Sequence, residues 1–509
     1  MHASLHHRLA HGVSANLVAQ ILAAVQNIVL VPLFLSMWGT VLYGDWLALS
    51  AAAAYLSMMD AGLQMYAVNL MNMHYSRREY NEFHQVLHSA LLLYLAMVGT
   101  GLVIVACGAA WIPWDRLLHL QLLGGAESSI LFLLVAFSAL AAIPVGLVAG
   151  IYRSIGEFAR GQQVGNAMRL VLLLATCVAM LAGRGPLFLA ALMAGLPFLT
   201  FAVVALDLRK RHSDIRIGIH RGSLRVALPF VAPSLLFFLF PLAYLLSIQG
   251  TSILLSAVLG STSLVLFTAT RTVANLAKQL FNAMNLALLP EVTSLYATGD
   301  LGRLRNLHLR TCKFTFTVAV AAASFLFFFN GHVFRVWTGG RLQGDPALAG
   351  IFLLSAVSSS LWFTSSMFQM AVNMHKNAAA RALLTAISTI ALSCVLVGRW
   401  GSAGVAMALL ISETLFSSLG VIKVTCRILH ESAPRLLANI ARSCTSPAMI
   451  LLLSGWALSL LCKQSWVGLI AGGVFHALIA SATIWFFLLL ADERRRAWLR
   501  VRSLAAGQT

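Results

Sequence analysis

The chain has 509 residues, of which 60% are hydrophobic and only 10% charged, with a formal net charge of +19 and a mean hydropathy of +0.85. A soluble domain carries about 25% charged residues, so a water-soluble globular class is excluded and a polytopic, all-α membrane protein is indicated. The positive charge does not mark a nucleic-acid binder, because Lys and Arg sit in short clusters between apolar segments, the pattern of cytoplasmic membrane loops.

Apolar runs of about 20 residues, the length that crosses a bilayer, predict fourteen spans. They lie near 13–37, 46–71, 87–110, 128–151, 164–183, 186–206, 226–257, 263–290, 312–334, 348–373, 379–398, 403–425, 443–462 and 467–491. The first is too long for a signal-peptide core and is expected to stay as a transmembrane helix. It carries Asn16, Gln20 and Asn27 on one face, beside Gln26. Such a face serves interhelical hydrogen bonding or a cavity wall.

Span two contains Asp60, with Gln64 one turn on and Asn69 and Asn72 beyond. Asp60 is expected to be a coupling carboxylate, the partner of a cavity cation, or a helix–helix hydrogen-bonding group. His84 and His88, beside Glu82 at a cytoplasmic helix start, are expected to form a solvated face rather than a metal site. Arg169 at the inner end of span five is expected to snorkel to the interface. The most basic loop, Asp207–Arg225, divides the chain into lobes 1–212 and 213–430, with two further spans and a basic tail in 431–509. A weak repeat at an offset of about 221 residues, relating spans two and eight, agrees with the repeated-half plan of transporters.

Pro229, Pro233 and Pro241 interrupt span seven. Prolines free backbone carbonyls and bend membrane helices, so a hinge or a static kink is expected here.

Span eight holds the most anomalous pattern. Arg271, Asn275, Lys278, Asn282 and Asn285 recur at steps of four, three, four and three, which places them within an arc of about 80°. The opposite face carries Val273, Leu276, Leu280 and Met284. Each cation costs about 2.5–3.5 kcal/mol in a membrane helix, so the stripe must face protein, water or an anion. It is expected to line a substrate cavity, or else to pair with Asp60 or Glu413, the clearest intramembrane acids. Glu413 lies in span twelve.

The 35 Lys and Arg residues also orient the bundle. Twenty-six fall on the side of the N-terminus, six on the other and three within spans, which predicts both termini in the cytoplasm. Trp38, Trp46, Trp111, Trp114, Trp337, Trp400 and Trp466 cluster at the predicted outer ends, as an interfacial belt does. The seven cysteines form no CxxC pair, so neither a disulfide framework nor a zinc site is indicated. There is no phosphate loop, HExxH or GxSxG. No catalytic residue, metal or cofactor is expected.

The segments Pro32–Leu33–Phe34–Leu35, Trp38–Gly39, Tyr43–Gly44–Asp45–Trp46, Tyr55–Leu56 and Asp60–Ala61–Gly62 resemble the opening of the polysaccharide flippases. These are the Wzx-type O-antigen transporters of the multidrug/oligosaccharidyl-lipid/polysaccharide superfamily. Leu289–Pro290–Glu291, Ala297–Thr298–Gly299–Asp300 and Leu304 resemble that family's ending of span eight. The resemblance covers essentially the whole chain. It implies two six-helix lobes plus two C-terminal helices, alternating access, and an isoprenoid-pyrophosphate-linked oligosaccharide as substrate. It also implies a bacterial inner membrane and, as partners, the polysaccharide polymerase and chain-length machinery. The family often places a basic residue after Asp-x-Gly, where this chain has Gln64 and Asn69; the cationic role then falls to span eight. A lipid II flippase and a drug/cation antiporter of the same superfamily are the nearest alternatives. A membrane glycosyltransferase, polymerase or ligase is a more distant one.

Overall fold

The structure is a computed structural model that describes residues 5–371 and 376–489. The side chains of 5–17 and of scattered later positions, Asn16 and Asn282 included, lie outside the described residues, as does the basic tail expected after 490. All regular structure in the described residues is helical. Among the described residues, twelve segments are long and apolar enough to cross a membrane. One of them, 378–428, contains two helices, because Gly401 breaks it with φ 53 and ψ −135. The stripe-bearing helix, whose polar face lowers its hydropathy, stands outside the twelve although it runs for 37 residues. With these two, the helical columns match the fourteen expected. The protein is a multi-pass membrane protein.

Two compact units divide the chain, 1–268 with 390–405 and 269–389 with 406–509. In chain order the first contains α1 (Leu5–Met37), α2 (Gly39–Ala54), α3 (Leu63–Ser76), α4 (Tyr80–Trp111), the short α5 (Trp114–Leu117), α6 (Gly125–Ser154), α7 (Phe158–Leu181) and α8 (Pro186–Arg211). It continues through α9 (Leu224–Ala227), α10 (Val231–Leu245) and α11 (Thr251–Leu259), and includes the first turns of α12 (Ser261–Ala297).

Predicted span two is broken rather than continuous. A 3-10 turn, Tyr55–Asp60, follows α2, and Ala61 and Gly62 then take positive φ of 47° and 76°. The left-handed region suits Gly62 and strains Ala61. The Asp60 carboxylate restarts the helix by accepting the Gln64 backbone N–H at 3.1 Å, the role of an N-capping side chain. The restarted α3 lies directly on α6. A Cβ at Gly146 would meet Gln64 Oε1 at 2.6 Å, and one at Gly150 would clash with Val68. A Gly-xxx-Gly ridge therefore seats two residues spaced one turn apart, the small-residue mode of membrane helix packing.

The second unit contains the rest of α12, then α13 (Leu301–Phe328), α14 (Asn330–Trp337), α15 (Pro346–Ala371), α16 (Lys376–Ser412) outside 390–405, α17 (Leu419–Ile428), α18 (Ala433–Leu461) and α19 (Trp466–Phe487). Its interior is held by polar side chains as much as by apolar ones. Thr315 meets Thr364 at 3.1 Å, His308 meets Ser365 at 3.0 Å, and Gln369 donates to Thr425 at 2.9 Å. On α19, His476 Nε2 donates to the Ala321 carbonyl at 2.9 Å while its Nδ1 lies 3.1 Å from Ser454 Oγ. The terminal hairpin is thus tied to α13 by one buried imidazole. In lipid, hydrogen bonds and close packing replace the hydrophobic drive between helices.

Candidate functional site

The stripe is as periodic in three dimensions as in the sequence, since Arg271 to Asn285 lie on one helix. Arg271, Asn275 and Lys278 are half-buried. Asn285 is 2% exposed, and its Nδ2 has no hydrogen-bond partner among the described residues. The side chain of Asn282 lies outside them.

Of the two acids weighed as partners, Glu413 is the one that Lys278 meets. Lys278 Nζ lies 3.6 Å from Glu413 Oε1 and donates to Ser355 Oγ at 3.3 Å. Ser355 Oγ donates in turn to Glu413 Oε2. Trp362 Nε1 donates to Glu413 Oε1 at 2.9 Å. Ser355 and Trp362, seven residues apart on α15, share a face at the helical repeat. Glu413 opens a π-helical segment, Glu413–Ser418. Such insertions shift the register of a helix and are frequent at functional sites. Here the segment is secured by Ser358, 3.0 Å from Ser418 Oγ, and by Thr385, 2.8 Å from Ser417 Oγ.

Asp60 belongs to a different cluster. Tyr94 Oη donates to its Oδ1, the oxygen that also takes the Gln64 N–H. The Gln64 amide donates to the Gly146 carbonyl at 3.0 Å. Asp60 and Gln64 are therefore brought together, both in the first unit. Gln20 and Asn27 are exposed on α1. Arg169, also exposed, donates to the Ala19 carbonyl at 3.3 Å and so touches α1 as well as facing outward.

The proline segment is locally irregular. Pro229 lies in a 3-10 turn, Pro233 and Pro241 lie in α10, and a π-helical stretch, Leu246–Gly250, follows. Thr251 Oγ1 and Ser252 Oγ donate to the carbonyls of Ser247 and Ile248 at 2.7 and 2.8 Å. Hydroxyls thereby satisfy backbone acceptors that the irregular turns leave open.

The expected solvated face at His84 and His88 is overturned. Both are buried, because the loop after α8 lies on them. His88 Nε2 donates to the Arg216 carbonyl at 2.7 Å, and the Arg216 N–H donates to His84 Nε2 at 3.1 Å. Two imidazoles one turn apart thus take both backbone groups of one linker residue. Ser89 Oγ accepts the Ser223 N–H at 3.0 Å, extending the seam.

Sequence reasoning assigned no role to Asp45, Ser355 or Trp362. Asp45 is fully buried and accepts the N–H groups of Gln121, Leu122 and Leu123 at 2.8–3.2 Å, plus Ser261 Oγ at 2.5 Å. Its signal was present: an acid following glycine between two aromatics, in a segment where an unpaired charge is costly.

No protein-family profile and no curated protein sequence matches this chain. Solved structures do. The structure titled lipid II flippase MurJ, inward closed conformation, aligns over 92% of this chain and 98% of its own, with a TM-score of 0.69 at 14% identity. An inward-facing multidrug resistance MATE family transporter of the MOP superfamily aligns over 82% of this chain and 99% of its own, with a TM-score of 0.59 at 17% identity. A MATE protein in the straight conformation gives 84%, 96%, 0.55 and 15%. The chain has the fold of these membrane transporters.

Proposed function

We propose that this protein is a flippase that moves an isoprenoid-pyrophosphate-linked oligosaccharide from the inner to the outer leaflet of a bacterial cytoplasmic membrane by alternating access, with both termini in the cytoplasm. The observation that carries the reading is the α12 stripe, two cations and three asparagines on one face of a membrane-length helix. Cations suit a pyrophosphate, and amide side chains suit sugar hydroxyls. The lipid tail can stay in the bilayer while the headgroup follows the polar face. A cationic drug would instead call for a surplus of carboxylates, which this helix lacks. Lipid II is the second reading, favoured by the alignment with the MurJ structure over 92% of the chain.

The test is a leaflet assay with the purified protein in liposomes. One arm carries a lipid-linked oligosaccharide and another lipid II, and each is followed by its accessibility to an external sugar-modifying enzyme. Protein-dependent translocation in the first arm is expected to exceed that in the second. Transport of neither lipid would overturn the flippase reading, and transport of lipid II alone would select the second reading.

A further inference from the structure

A second polar face runs along α7. Gln162, Asn166 and Arg169 recur at steps of four and three. With Leu173, Thr176 and Met180 they lie within an arc of about 80°. The last three are buried, so Arg169 continues the packed side of its helix. The exposed apolar arc of Leu170, Val171, Leu174, Val178 and Leu181 is centred about 150° away. The exposure of Arg169 is therefore not that of the lipid-facing side. On one flank α7 packs on α6, where a Cβ at Gly161 would meet Tyr152 at 2.9 Å. At Gly165, one turn before Arg169, an added Cβ would meet nothing within 4 Å. From this packed side the Arg169 guanidinium reaches α1, donating to the Ala19 carbonyl at 3.3 Å, and the next residue, Gln20, is exposed.

We propose that Arg169 is an oxyanion-binding site carried by the first unit and separate from the α12 stripe. A guanidinium has five N–H donors in one plane. Among the described residues a single neutral carbonyl takes one of them, at the long end of hydrogen-bond range. No carboxylate pairs with it among those residues. A cation on the packed side of a membrane helix calls for an anion or water, and the planar fork matches two oxygens of one group. The open space at Gly165 leaves room for that group beside the fork. The amide of Gln20 adjoins the acceptor residue, and an amide suits a hydroxyl carried by the same ligand. The ligand class is a diphosphate or a carboxylate, the oxyanions of an isoprenoid linkage and of an acidic sugar. That identity rests on the flippase reading; the presence of an anion site does not. A headgroup then has cationic contacts in both units, Arg169 in the first and the stripe in the second.

Phenylglyoxal modification of the full chain in nanodiscs of neutral phosphatidylcholine tests this, with the adduct on the Arg169 peptide read by mass spectrometry. The probes are geranylgeranyl diphosphate and glucuronate, and geranylgeraniol is the uncharged control. Severalfold protection of Arg169 by the diphosphate, by glucuronate or by both is expected, and the probe that protects identifies the source of the anion. Protection should persist in Lys278→Met, because the site does not depend on the stripe. Arg169→Gln should weaken binding of the protecting probe about tenfold, the value of a charge-assisted contact, and Arg169→Lys should recover part of that loss. Gly165→Leu fills the open space without touching the charge. It should weaken binding too while the melting temperature stays no lower, since leucine favours a helix over glycine. Equal modification of Arg169 with and without both oxyanions, or protection that disappears in Lys278→Met, overturns the site. The flippase reading still stands in that case if Lys278→Met weakens diphosphate binding. Wild type that binds neither oxyanion in preference to the alcohol overturns both.

Discussion

Asp45 and Ser261, 216 residues apart, share a hydrogen bond of 2.5 Å. That bond joins the middle of α2 to the first residue of α12 within the first unit, and the same carboxylate gathers the three N–H groups of Gln121–Leu123. The neighbouring Gly44 makes the approach feasible, since a Cβ there would clash with the Ser261 carbonyl.

The first prediction concerns this junction. Asp45→Ala leaves buried donors unmet and is expected to cost on the order of 2–4 kcal/mol, with Asp45→Asn costing less. Gly44→Ala is expected to cost about 1–3 kcal/mol through overpacking against backbone. Thermal unfolding in detergent checks both. A melting temperature unchanged in Asp45→Ala would remove its role as a hub.

The second concerns the ion pair. Lys278→Met or Glu413→Gln alone should destabilise by about 1–3 kcal/mol, discounted from the fully buried value because Lys278 keeps 29% of its side chain exposed. The double variant should recover part of that loss, because neither charge is then left alone. A thermal-unfolding double-mutant cycle measures the coupling; strictly additive losses would show that the two groups do not interact.

The third concerns the linker. His88→Ala removes the bond to the Arg216 carbonyl. Gly222→Ala should act similarly, because its Cβ would meet the His88 carbonyl oxygen at 2.6 Å. Both variants should be cut by trypsin at Arg216 and Arg221 severalfold faster than wild type, read by mass spectrometry of the fragments. Unchanged cleavage would mean that the histidines do not hold the loop.

The fourth concerns two glutamates outside the spans. For Glu157, partial burial raises the carboxyl pKa, but hydrogen bonds from Arg211 and His212 outweigh it and hold the group below its ordinary value. Its stabilisation is therefore present above the unfolded glutamate pKa and is lost as pH falls through the folded value. Burial raises Glu431, with Arg305 opposing. That contribution has the opposite sign, full at acid pH and lost as pH rises from the unfolded value through the raised folded one. At about pH 7.5, Glu157→Gln should lower the melting temperature and Glu431→Gln should raise it, both differences shrinking toward about pH 4. Shifts of the same sign would contradict the assignment.

The separate fates of the polar residues show what could be read in advance. The stripe from Arg271 to Asn285 was legible because a face on one helix depends only on local periodicity. The break at Ala61–Gly62 was not, because an apolar run looks continuous whether or not its backbone turns left-handed. His84 and His88 were misread because their partner is the backbone of Arg216, and a carbonyl or N–H has no letter in a sequence. Asp45 stood within the quoted Tyr-Gly-Asp-Trp segment, yet its donors come from residues 121–123 and 261.

By itself the sequence determined the membrane class, the helical columns and the existence of a charged face, since hydropathy and a 3.6-residue repeat are properties of short segments. Only the tertiary structure decided which acid meets Lys278. Asp60 and Glu413 were both candidates, with Asp60 the more prominent in the sequence, and the outcome rests on how α12, α15 and the π-helical turn at Glu413 pack. That packing brings residues 278, 355, 362 and 413 together, and no local pattern encodes such a contact.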